Sequence, residues 1–388
     1  GYLGWPTAMH FSQQGDEVCI VDDFTRRRGH LERGTDSLTP IATMQERVDA
    51  WKQISGRDID SRVLDICDWE GICSLFSEFR PDAIVHYGEI PSAPYSMIDR
   101  DHAWETQRNN VEGCMNVIWA MKDITPDAHL VKLGTMGEYG TPNLDIPEGF
   151  FEVEYRGRRD KLPFPRQAGS WYHLSKVHDS ANVLFACRVW GLRSTDVMQG
   201  VVYGTRIDAI EPGDPRSRTR LDFDQCFGTA LNRFCAQTVI GEPMTVFGSG
   251  GQKRGFLALR DSIQCLTIAI ENPPSPGEYR VLNQFEEVYD VASLAEEVRA
   301  VAASLGLDPR VERFENPRTE AERHHYNPDH GTLFDLGYVP TRDMAGELRQ
   351  VLEDLLPHAE RIARHRSVLV PDIHWSGARE RVHRLAAP

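Results

Sequence analysis

The chain has 388 residues, 40% hydrophobic and 26% charged, values near the globular average that exclude disorder throughout and leave room for one large α/β domain or two sharing a cleft. Its net charge of −15 excludes a nucleic-acid groove, which needs a basic face, but not a small anionic ligand held by a few arginines. No run of roughly 18 apolar residues and no signal peptide is read, so no membrane partner is expected.

Strand-like apolar runs alternate with helical stretches through the first half. Val18 to Val21 reads as a strand ending at Asp22, followed by strands at Val63 to Ile66, Ala83 to Tyr87, Leu130 to Leu133 and Ser194 to Met198. Helical stretches lie between them, notably Asn110 to Met121 and Tyr172 to Cys187. The alternation predicts an α/β fold with a doubly wound parallel (Rossmann-type) sheet. Past Gly204 the pattern weakens. Arg206 to Arg220 reads as a loop, Phe227 to Val239 as a helix, and Thr245 to Phe247 and Tyr279 to Leu282 as strands. Helices follow at Val291 to Leu305 and Met344 to Leu355. The expected division is residues 1–204 for cofactor binding and 205–357 for a smaller, mostly C-terminal α/β substrate-binding domain, with some segments returning to the first. Residues 358–388 read as a solvated basic helix and tail.

Eight cysteines are scattered with no CxxC pair. That pattern predicts buried free thiols, a reducing, cytoplasmic-type compartment and no structural zinc. His324-His325 lacks metal-ligand spacing and reads as a solvated loop, so no metal site is expected.

The opening Gly1-Tyr2-Leu3-Gly4-Trp5 runs into a helix and then a strand ending Asp22-Asp23. A dinucleotide fingerprint has this form: glycines admit a pyrophosphate to a helix N-terminus, and an acid about 20 residues on binds the adenosine ribose. Asp22 follows Gly4 by 18 residues (22 − 4). The motif's first strand and first glycine are not in the given sequence, which is read as starting mid-motif. An acid after the second strand repels a ribose phosphate and favours NAD over NADP, although Arg26, Arg27 and Arg28 follow closely. Asp65 and Ile66 are placed to meet the adenine.

Tyr172 and Lys176 form Y-x-x-x-K, two positions sharing one helix face. A nearby ammonium lowers a tyrosine pKa and lets it act as a base towards a sugar hydroxyl. Thr135 follows the strand Leu130 to Leu133, at the sheet edge where ligands of such folds bind, and can orient the same hydroxyl.

These residues resemble those of the extended short-chain dehydrogenases/reductases, and most closely the UDP-sulfoquinovose synthase family. The similarity continues through Ser92-Ala93-Pro94-Tyr95-Ser96-Met97-Ile98-Asp99-Arg100, Leu130 to Gly140, Tyr172 to Ser180 and Gln199-Gly200-Val201-Val202-Tyr203-Gly204, reaching about Gly337. The resemblance implies that NAD oxidises C4 of a UDP-hexose, water leaves across C5–C6, sulfite adds at C6, and C4 is reduced again. It implies that Thr135, Tyr172 and Lys176 carry the C4 chemistry, with Met136, Glu138 and His173 near C5 and C6. The cofactor is expected at Gly1, Tyr2, Leu3, Gly4, Asp22, Asp65, Ile66, Tyr87, Gly88, Asn110, Tyr172, Lys176, Gln199 and Val201. The nucleotide sugar is expected at Glu89, Ser92, Thr135, Gln199, Asn232, Gln252, Arg254 and Arg318. A homodimer through a helix bundle is expected as well. Two departures stand out: Ile90-Pro91 where the resembling enzymes carry Gln-Arg, and Ala258 where they carry Asp. Pro91 offers sulfite no charge, although Arg166 is a candidate to replace it. A UDP-sugar 4-epimerase or dehydratase without sulfite transfer, and a non-catalytic NAD-binding scaffold, are therefore the alternative readings.

Overall fold

The computed structural model describes residues 1–210, 213–378 and 380–385. In the first half, helix α1 (Gly4–Gln14) leads to β1 (Cys19–Val21), α2 (Thr25–Glu32), α3 (Met44–Ser55), β2 (Asp60–Arg62), α4 (Trp69–Phe79) and β3 (Ala83–His86). Next come α5 (Arg100–Gln107), a π-helical turn at Arg108–Glu112, α6 (Gly113–Ile124), β4 (His129–Thr135), the hairpin β5 (Phe150–Tyr155) and β6 (Arg158–Pro163), and α7 (Trp171–Trp190). β7 (Arg193–Gln199) and β8 (Val201–Tyr203) end that half. Beyond a loop are α8 (Ala230–Val239), β9 (Met244–Phe247), β10 (Lys253–Ala258), α9 (Leu259–Glu271), β11 (Tyr279–Gln284), β12 (Glu287–Asp290), α10 (Val291–Ser304), β13 (Val311–Phe314), α11 (Gly331–Asp335), α12 (Met344–Leu355) and α13 (Ala359–Arg364).

Four parallel strands in the order β11-β7-β4-β3 form the main sheet. β4 and β7 are buried nearly throughout, as strands covered on both faces must be. On one face Ile118, Met121, Val183 and Cys187 of α6 and α7 pack with Leu130 and Met198; on the other Leu266 and Ala269 of α9 pack with Val131 and Val197. β1 and β2 pair in parallel as a separate ribbon, and a cavity of about 890 Å³ runs between β1 and β3 to the C-terminal ends of β3 and β4. A second core joins α8, α10 and α12 through Phe234, Leu294, Val298, Leu348 and Leu352.

Two sequence expectations differ from the structure. The second strand lies at Asp60–Arg62, not at 63–66. β1 ends at Val21, the ladder closes with Asp22 N–H donating to the Arg62 carbonyl, and two residues on Phe24 turns left-handed (φ 61°). Leu64 and Ile66 turn instead into the core beneath α4 and α6. The C-terminal stretch is not a solvated tail over its described part. Ile362, Leu369, Ile373 and Val382 are buried, apolar positions hidden among the arginines and histidines that dominate the composition there.

Candidate active site

The N-terminus of α1 has no side-chain cap, so its first N–H groups are free to meet an anion. Gly1, Tyr2, Leu3 and Gly4 line the cavity there, with Asp22 at the end of β1 and Asp65 and Ile66 beyond β2. Asp22 shapes its own turn by accepting from Phe24 N–H at 2.8 Å. The three following arginines are each engaged elsewhere: Arg26 with Asp222 at 2.6 Å, Arg27 with the Ala42 carbonyl, and Arg28 with Asp23. None is committed to the acid that favours NAD, and these residues fit a dinucleotide with an unphosphorylated ribose.

Tyr87, Gly88 and Glu89 leave β3 along the same cavity. The Tyr87 hydroxyl meets Thr7 of α1 at 3.1 Å. Ile66 packs between this segment and the start of α6: a Cβ on Gly88 would lie 3.1 Å from it and one on Gly113 2.2 Å. Asn110, fully buried in the π-helical turn, accepts from Ile90 N–H at 2.8 Å and donates to Ser175 Oγ at 2.9 Å. It ties the Glu89–Pro91 segment to α7 and does not line the cavity. A π turn of this kind often marks a functional site.

Ser170 caps α7 by accepting from His173 N–H. Tyr172, Lys176, Asp179 and Val183 then share its inner face. Tyr172, Lys176 and Thr135 line the cavity together. Lys176 is ion-paired with Glu89, both almost wholly buried. Burial, and then the Glu89 carboxylate, raise the Tyr172 phenol well above its ordinary pKa. Thr135 Oγ accepts from Gly137 N–H at 3.1 Å, and Glu138 accepts from Thr135 N–H at 3.2 Å.

Glu138 is buried outside the cavity and held on several sides: by Arg166, by Ser180 Oγ at 3.0 Å and by Lys132 at 3.6 Å. Arg166 is thereby committed to Glu138 and Ser180. Met136 is buried beside it. His173 packs on Gly137, where a Cβ would lie 2.4 Å from its Nε2. Burial, then Arg318 and Arg254, lower its pKa to about 3, so its ring is neutral at pH 7.

The remaining predicted residues divide. Gln199 lines the cavity and donates to Gln284 at 3.0 Å; Val201 starts β8 there, and Asn232 holds the Asp222 carbonyl at 2.8 Å. Ser92 is turned to the Cys226 carbonyl. Gln252, Arg254 and Arg318 do not line the cavity: Gln252 reaches Glu322 at 3.5 Å, Arg254 pairs with Glu320 at 2.8 Å, and Arg254 and Arg318 both act on His173. Ile90 is buried with Tyr95, Cys226 and Ile373, while Pro91 is exposed at the cavity wall. Ala258 sits buried at the uncapped start of α9.

Sequence reasoning missed the buried charges beneath the site, Lys132, Asp179 and Asp196. Lys132 donates to Asp196 at 3.2 Å and to Ser180 at 3.0 Å. A lysine inside the apolar run Leu130 to Leu133 was the available signal, since a buried charge needs a partner. Among the described residues no cluster of metal-ligating side chains occurs, and no helix is long and apolar enough to cross a membrane.

Residues 1–283 match the family model "NAD dependent epimerase/dehydratase family". The chain is 49% identical over 375 residues to "UDP-sulfoquinovose synthase, chloroplastic" of Spinacia oleracea, covering 97% of this chain and 77% of that protein. It is 46% identical to the UDP-sulfoquinovose synthase of Sulfolobus acidocaldarius, covering 97% and 95%. In fold it is similar to a UDP-glucose 4-epimerase of Thermotoga maritima solved with UDP-glucose, at TM-score 0.67 and 17% identity over 91% of this chain and 95% of that one. The UDP-glucuronic acid 4-epimerase of Bacillus cereus, solved with UDP-glucuronic acid and NAD, gives the same TM-score over 93% and 97%. A cavity that joins an uncapped glycine turn, an acid after β1 and a Tyr-Lys pair on α7 accords with these likenesses, and the chain belongs to the NAD-dependent epimerase/dehydratase family.

Proposed function

We propose that the chain remodels the hexose of a UDP-sugar by oxidising C4, eliminating water across C5–C6, adding sulfite at C6 and reducing C4 again. The observation that carries the reading is Thr135, Tyr172 and Lys176 on one cavity with the Gly1–Gly4 turn and Asp22, in a chain 49% identical to a UDP-sulfoquinovose synthase. NAD, when bound, supplies reversible hydride chemistry at C4. Tyr172 takes the C4 hydroxyl proton and later returns it, and Thr135 orients that hydroxyl. For Tyr172 to act as a base, Lys176 must exchange Glu89 for the phenol, because paired with Glu89 its charge is cancelled. Once C4 is a ketone the C5 proton is acidic, and the neutral His173 ring, which packs on Gly137 behind the cavity wall, is the acceptor that the family resemblance implies. In this reading Glu138 is a support that fixes Thr135 and the turn after β4.

The proposal includes the division into a cofactor part, residues 1–204, and a substrate part, 205–357, supported by the separate core of α8, α10 and α12. It includes a reducing, cytoplasmic-type compartment, supported by eight free cysteines, and a homodimer, supported by the apolar outer faces of α5, α6 and α7, where Trp104, Trp119, Phe185 and Val189 are exposed. A dehydratase or 4-epimerase is the second reading, favoured by one observation, the uncharged Pro91 at the cavity wall. Mass spectrometry of UDP-glucose incubated with protein and NAD, with and without sulfite, separates them. A UDP-sulfosugar formed only with sulfite is expected; an unsaturated or epimerised product in both arms establishes the second reading. No product and no change in bound NADH absorbance leaves a scaffold.

A further inference from the structure

Residues 371–375 run as a strap to the start of α7. Gln225 fastens it: its amide oxygen accepts from Asp372 N–H at 2.8 Å and Ile373 N–H at 3.0 Å, and its amide nitrogen donates to the Ile373 carbonyl at 2.9 Å. Ile373 is buried against Ile90 and Tyr95. Two residues on, Trp375 N–H donates to the Pro317 carbonyl at 2.9 Å, and its indole N–H to the Gly169 carbonyl at 2.8 Å. Gly169 precedes Ser170, the cap of α7. The strap therefore ties the segment carrying Arg318 to the helix carrying Tyr172 and His173.

The Arg318 guanidinium lies over the Trp375 ring at 5.2 Å. Its neighbour Arg254 is committed to Glu320 at 2.8 Å. Among the described residues Arg318 forms no ion pair, and no protein atom accepts from its guanidinium. The distinction is chemical. A carboxylate would occupy the N–H edge that binds oxyanions in a bidentate manner, whereas an aromatic ring takes the flat face and leaves that edge free. Arg318 is held against the ring with no carboxylate bonded to it, within reach of the Glu320 charge and beside His173, whose pKa it lowers.

We infer that Trp375 is a positioning residue that holds Arg318 open for an oxyanion of the substrates, either the diphosphate of the nucleotide sugar or sulfite. The inference rests on the function proposed above. The test measures UDP affinity by calorimetry and the sulfite KM by product mass spectrometry, in the parent and in Trp375→Leu, Trp375→Phe and Arg318→Ala, each checked for a parent-like melting profile and NAD content. Trp375→Leu should weaken one of the two by about fivefold to tenfold, the scale of a partly desolvated cation–π contact. Trp375→Phe, which keeps a ring face but loses the indole N–H, should recover most of the loss, and Arg318→Ala should lose at least as much as Trp375→Leu. A higher Kd for UDP assigns the edge to the diphosphate; a higher sulfite KM at unchanged UDP affinity assigns it to sulfite. Unchanged values in Trp375→Leu, or equal losses in the Leu and Phe variants, overturn the positioning role, and unchanged values in Arg318→Ala overturn the anion seat. A parent that binds no UDP and forms no sulfosugar defeats the proposed function itself, an outcome read before any variant is made.

Discussion

Tyr172 and Asp179 sit seven residues apart on one face of α7 and make opposite demands on their surroundings. Tyr172→Phe removes the proton acceptor and keeps the ring, so turnover of UDP-glucose should fall by roughly 10²-fold or more, the usual contribution of a general base, while UDP affinity measured by calorimetry stays at the parent value. Asp179 is buried, and neither carboxylate oxygen has a hydrogen-bond partner. Burial, then Glu89, push its pKa up from 3.8 to about 7, against the pull of Lys176 and Lys132; Asp196 adds to the rise. The folded state thus binds a proton that the unfolded chain has released. Stability from this group is fully present below the ordinary carboxyl pKa and is lost as pH rises towards 7. Asp179→Asn carries no such charge. Its melting temperature relative to the parent should rise between pH 5 and pH 8; a constant difference would show that Asp179 is ionised throughout.

At the scale of elements, the joint between the β3 loop and α7 depends on one side chain. Asn110 bonds to both the Ile90 N–H and Ser175 Oγ in a fully buried setting. Asn110→Ala leaves the Ile90 N–H without its partner and takes one bond from Ser175 Oγ, which still donates to the Tyr172 carbonyl, at a cost of about 1–3 kcal/mol. Thermal denaturation should show the loss. NAD retention through gel filtration should fall with it, because Glu89 and Lys176 lose the frame that aligns them. The sequence pattern made helix 110–121 legible, yet not the π turn at its start. That turn exists because Asn110 must face inward to reach Ile90 and Ser175, a requirement set by residues distant in the chain.

For the whole molecule, the outer faces of α5, α6 and α7 carry exposed apolar side chains, with Trp104 65%, Phe185 49% and Val189 53% exposed. Lys122 lies over both Trp119 and Trp190, at 4.6 and 5.3 Å. If two copies meet through these helices, Phe185→Glu places a desolvated charge in the contact. Sedimentation velocity should give a dimer for the parent and a monomer for the variant, with unchanged melting of each subunit; two identical profiles would remove this face from the assembly.

The sequence by itself determined the parallel α/β order, the glycine turn followed by Asp22, and the Tyr172-Lys176 pair, because each is a local pattern whose period or spacing is fixed by backbone geometry. Tertiary structure alone decided the partners. Glu89 pairs with Lys176, Arg166 is taken by Glu138, and the three arginines after Asp22 turn to other groups. The same holds for the C-terminal strap, whose basic composition reads as solvated but whose Ile373 and Trp375 find an apolar seat and a guanidinium face. A charge's role depends on which opposite charge or ring lies within a few ångströms, and residues brought together across hundreds of positions leave no trace of that in local order.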